Sequence, residues 1–146
     1  MKQSSILPGL ALAALSLLAA ATPTHAGERP IRASGAGTIN SGTMYARLEA
    51  THLGKANFVG GVDPDLFDNS QILEIPVSLT AANGDRLFLD AVVFFDVDTE
   101  IAVGTVTFSG GTGRFETATG SADVMFDFGD YPHQHFLVLI DGSIDY

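Results

Sequence analysis

From Ile31 to the end of the chain, apolar side chains recur at every second position, and this period of two dominates what the sequence can fold into. A period of two places successive side chains on opposite sides of an extended strand. The clearest case is Ile72–Ala81. Leu73, Ile75, Val77, Leu79 and Ala81 share one side, and Glu74, Pro76, Ser78 and Thr80 share the other. Pro76 has no N–H to donate, which predicts an edge strand or a bulge there. Asn83-Gly84 then supplies the positive φ that a tight hairpin turn needs.

The returning strand, Leu87–Asp96, puts Leu87, Leu89, Ala91, Val93 and Phe95 on one side. Its other side carries Phe88, Asp90, Val92, Phe94 and Asp96. Apolar groups on both sides imply a central strand or one that meets a partner surface. The same alternation runs through Ile31–Ile39, Tyr45–His52, Ala56–Gly61, Ile101–Ser109, the stretch up to Phe128 after Arg114, and His135–Asp145. Glycine-rich turns separate them, notably Gly110-Gly111-Thr112-Gly113. No segment after Ile31 has helical periodicity, and the longest loop falls at Asp63–Gln71.

About eight short strands joined by short turns predict an all-β domain, a single antiparallel up-and-down barrel. A two-sheet sandwich is the second arrangement that fits. Small residues expected on an inward face, Ala118, Gly120 and Ala122, would let the strands curve.

The chain divides into two parts. Lys2, the uncharged run Ile6–Ala21, Pro23 and the small-residue exit Thr24-His25-Ala26 have the order of a secretory leader. Residues 1–26 are therefore read as a cleaved signal peptide and 27–146 as the barrel domain, secreted or periplasmic. Once the leader is removed, no stable membrane insertion is expected. With no cysteine in the chain, the core must hold without disulfides, and thiol nucleophiles, lipoprotein anchors and cysteine metal sites are excluded. The formal charge is −10 and becomes more negative on loss of Lys2, which disfavours nucleic acid as a partner.

Three stretches carry a resemblance: Thr51-His52-Leu53-Gly54-Lys55, Thr80 to Leu87, and Gly110-Gly111-Thr112-Gly113-Arg114-Phe115 running on to Ser121. Together they resemble small secreted bacterial proteins of unknown function with an allene oxide cyclase-like β-barrel. The resemblance implies the barrel and a pocket in its interior. No cyclase catalytic residue maps onto this chain.

Several residues are candidates for chemistry. His52 is expected to face inward with Leu48 and Ala50, where a group titrating near neutrality can act as acid or base. The default reading is a core histidine donating to a backbone carbonyl beside a turn. Glu49 and Arg114 are its possible catalytic partners, and Arg114 is also suited to holding an acid at the barrel rim. His133 and His135 stand two apart, a spacing that can share a metal if an acid such as Asp130 or Asp141 joins them. A solvated strand end is the preferred reading of this pair, and no metal or cofactor is assigned. The acidic loops Asp63–Asn69 and Asp96–Glu100 lack calcium-loop spacing and are read as polar turns.

Three functions compete, and the sequence favours the first, a binding module. A binding module would hold a small apolar molecule inside the barrel against Phe88, Phe94, Phe108, Phe126 and Phe136. A cyclase or isomerase would need polar groups in that interior, and the balance leans against an enzyme. An extracellular structural or assembly component would have a filled interior and exposed apolar surface.

Overall fold

The computed structural model describes residues 27–129 and 134–146. The leader and His133 lie outside the described residues. Eight strands follow one another: β1 Glu28–Asn40, β2 Thr43–Ala50, β3 Gly54–Gly61, β4 Gln71–Thr80, β5 Arg86–Asp96, β6 Ile101–Gly111, β7 Thr119–Asp127 and β8 His135–Asp145. Each pairs antiparallel with the next, and β8 returns to β1, closing the barrel. This is the up-and-down arrangement, and the sandwich is set aside. Among the described residues the only helical turns are two short 3-10 turns, Pro64–Asp68 and Gly113–Phe115.

The period-two pattern sorts the two faces cleanly. On β5, Leu87, Leu89, Ala91, Val93 and Phe95 are at most 2% exposed, whereas Val92 and Phe94 on the other face are about half exposed. Inward residues of all eight strands form one core with no buried polar or charged residue among those described.

Closure brings neighbouring strands into close approach. At inward-facing Gly37 an added Cβ would strike the Tyr45 carbonyl oxygen. At Gly104 it would strike the Val92 carbonyl. Glycine at these positions lets neighbouring backbone come closer than any side chain would allow.

Pro76 is accommodated differently from either expectation. A closed barrel has no edge strand, and no register shift occurs in the β4–β5 ladder. The β3–β4 ladder, however, is short, joining only Asn57–Gly60 to Val77–Thr80. The Ala81 N–H donates to the Asp85 carbonyl at 2.8 Å, so odd-numbered residues of β4 bond toward β5. Pro76 therefore directs its missing donor toward β3, one residue beyond the point where that ladder stops.

The interior is packed with rings. Phe58, Phe126 and Phe136 meet with centroids 5.7–6.3 Å apart, and Phe126 stacks on Phe128 at 5.7 Å. Fully burying such a side chain contributes roughly 1.5–3 kcal/mol each. Truncating an interior ring should therefore cost far more than truncating an outer one. Phe126→Ala is expected to lower unfolding free energy by about 3–5 kcal/mol. Phe94→Ala should stay within about 0.5 kcal/mol. Urea unfolding of the two variants checks this, and equal losses would contradict the assignment of faces.

Candidate functional site

Both mouths of the barrel are covered. At one end the 3-10 turn Pro64–Asp68 lowers Phe67 onto Phe95 and Phe128, at 5.2 and 4.8 Å. Asp63 starts that turn by accepting a hydrogen bond from the Asp65 N–H at 3.0 Å. At the other end the turn Gly113–Phe115 buries Phe115, whose ring lies 4.9 Å from that of Tyr146.

That second end gathers most of the expected chemical residues, but outside the interior. β2 stops at Ala50, and His52 takes a positive φ of 70° in the following turn. The reversal carries its ring off the Leu48 and Ala50 face to a partly exposed position. There His52 Nε2 lies 2.8 Å from the Pro30 carbonyl oxygen, with Tyr146 packed edge-on at 5.6 Å. The expected backbone-carbonyl contact beside a turn is present, but the residue is not in the core. Glu49 also faces solvent, opposite Lys55 on β3. Neither residue can act on a molecule in the interior.

Arg114 meets its expected acid at the rim. Its Nε lies 3.5 Å from Asp85 Oδ2, its Nη2 donates to the His52 carbonyl at 2.6 Å, and its guanidinium rests 4.7 Å from the Phe115 ring centre. One side chain thus ties together the turns after β2, β4 and β6. These are the same three stretches that carry the sequence resemblance. Together they close this end of the barrel.

No family model, curated protein or solved structure matches this chain. Its site must therefore be read from its own geometry.

Of the five phenylalanines expected to line a pocket, Phe108, Phe126 and Phe136 are buried in the interior. Phe88 and Phe94 are not: each follows an inward residue on β5 and so points outward, half-buried and 50% exposed respectively. His135 is exposed at the start of β8, and no group of three metal-ligating side chains occurs among the described residues.

The outer wall holds the unexpected feature. Register places Ile72, Phe94, Val103, Met125 and Leu139 side by side across β4 to β8. Four of the five are at least half exposed. Over β6–β8 this row lines a shallow groove of about 390 Å3 with Asp123 and Asp141 beside it. Each member stands at an outward position of its own strand, but only the register reveals that they are neighbours. A second outer groove of about 480 Å3 crosses β1–β3, lined in part by Tyr45, Arg47 and Val59.

The Arg114 contacts have a measurable consequence. Arg114→Ala should cost about 1–2 kcal/mol, the loss of a charge-assisted hydrogen bond and its ion pair. Amide exchange should quicken at residues 82–85 and 112–118 while the β6–β8 strands keep their protection. Unchanged exchange in both turns would show that Arg114 does not hold this end together.

Proposed function

We propose that this protein is an exported assembly component that works through its outer wall. The observation that carries the reading is the row of exposed apolar side chains on β4 to β8, found on a barrel whose interior is filled by its own rings. Water-exposed rows of this kind mark sites of association with other molecules. An enzymatic role inside the barrel would need inward polar groups, and every buried residue among those described is apolar. A binding role inside it would need room that Phe58, Phe126, Phe128 and Phe136 take up.

Export is supported by the charge, apolar run and small-residue exit of residues 1–26. No helix among the described residues is long and apolar enough to cross a membrane. The barrel itself has an apolar inside and carries Arg32, Glu74, Asp123 and Asp141 outside. A lipid-facing barrel has the opposite arrangement. The likeness to allene oxide cyclase-like barrels enters this reading only as a likeness of fold.

The test is native mass spectrometry and sedimentation of the protein taken directly from the cells or medium that contain it. Complexes without a bound small molecule are expected. The paired change Phe94→Ser and Leu139→Ser should weaken them while shifting unfolding free energy by no more than about 1 kcal/mol. A monomer carrying one small molecule per chain would overturn the reading and return function to the interior.

A further inference from the structure

Two regions of the outer wall have the same layout and opposite charge. Across β2–β5, register sets Tyr45, Val59, Ser78 and Phe88 in one row and Arg47, Asn57, Thr80 and Arg86 in the next. Across β5–β8 it sets Phe94, Val103, Met125 and Leu139 in one row and Val92, Thr105, Asp123 and Asp141 in the next. Each region is therefore an apolar row beside a row with two like charges. One carries two arginines and the other two aspartates.

Three of these four charges are available, Arg47, Arg86 and Asp123, whereas Asp141 is paired with Arg32 on β1 at 3.3 Å. Arg47 Nε donates to Asn57 Oδ1 at 2.9 Å, and the Arg86 guanidinium lies 5.2 Å from the Phe88 ring centre. Neither forms an ion pair among the described residues; the two ion pairs found there are Arg32 with Asp141 and Arg114 with Asp85. Asp123 has no cationic partner among them and stands directly opposite Asp141, an unfavourable placement of like charges. Lys55 on the basic side faces Glu49, and Asp90 lies two residues beyond Phe88, so Arg47 and Arg86 set the sign of that region.

From this complementarity we propose that the partner is a second copy of the chain, its Arg47 and Arg86 face seated on the Asp123 and Asp141 face of its neighbour. The inference rests on the assembly reading above and supplies its occupant. Copies carrying a net charge of −10 repel one another in most orientations. Acidic face against acidic face adds to that repulsion, and arginine face against arginine face repels locally. Only the crossed pairing brings opposite charges together over apolar rows that can exclude water. The two faces share only β5 and are centred three strands apart around an eight-stranded wall, so using one leaves most of the other open. Such a head-to-tail contact propagates into rings or chains and does not stop at a two-fold dimer.

The experiment is sedimentation velocity of the purified protein over a concentration series, with charge-reversed variants. The unaltered protein should form species larger than a dimer. Arg47→Glu and Asp123→Arg should each weaken association by about a hundredfold, since a reversed charge replaces attraction with repulsion. Circular dichroism and thermal melting confirm that both variants keep the fold. Mixing them should restore a complex, because each retains the face that the other has lost. The double variant should also recover assembly. A monomer at every concentration, a species that stops at the dimer, or a mixture that fails to associate would each overturn the proposal. If purified protein is monomeric while the protein from its native source is held in a larger complex, self-association falls and the assembly reading stands. A monomer in both settings removes both.

Discussion

Everything in this structure depends on the inward side chains of a closed sheet meeting one another across the barrel axis. Phe58 on β3 is far in sequence from Phe126 on β7 and Phe136 on neighbouring β8, yet the three rings pack together inside the barrel. Phe128 extends the cluster toward one mouth, where Phe67 completes it. An eight-stranded barrel has an interior just wide enough for side chains to fill. Large aromatic residues occupy these positions, and glycine at close approaches between neighbouring strands, such as Gly37 and Gly104, lets the wall draw in around them. Because the chain has no disulfide, this apolar contact carries the burden of stability.

The described interior is apolar throughout, and the polar side chains stand on the surface. The polar residues that first attract attention, His52, Glu49 and Arg114, all lie outside. Arg114 and His52 are engaged in binding turns together at one end, with Asp85, Pro30 and Tyr146 as their partners. What remains uncommitted is the outer wall, where apolar rows and charges of opposite sign are laid out by strand register. Register places one set of rows across β2–β5 and the other across β5–β8.

The fold was largely legible in the sequence. Alternation in Ile72–Ala81 and Leu87–Asp96, with Asn83-Gly84 between them, identifies a hairpin and its buried side without any structure. Phe108, Phe126 and Phe136 likewise follow from parity alone. Other features depended on knowledge that parity does not hold. His52 left its strand because the backbone reversed at a positive φ, and a histidine there gives no local warning of that. Phe67 sat in a polar loop, although Asp63 followed by Pro64 is a recognisable start for a short helical turn. Phe88 and Phe94 were already on the wetter side of β5 by parity, and counting them among pocket residues gave aromatic character more weight than position. The outer row was least legible, since each member is one apolar residue among polar neighbours until pairing aligns Phe94 with Val103 and Met125 with Leu139.

The claim that most directly decides between an inward and an outward function is that the barrel has no room inside. Apolar cavities in proteins take up xenon or benzene when they are large enough. Methyl-labelled NMR of the protein titrated with benzene reads this at Ile31, Leu48, Leu73, Leu87 and Val124, all buried in the core. A filled barrel predicts that these inward methyl signals stay in place, with any perturbation confined to outer methyls such as Val103 and Leu139. Saturable shifts of the inward methyls would reveal an open interior and contradict the account.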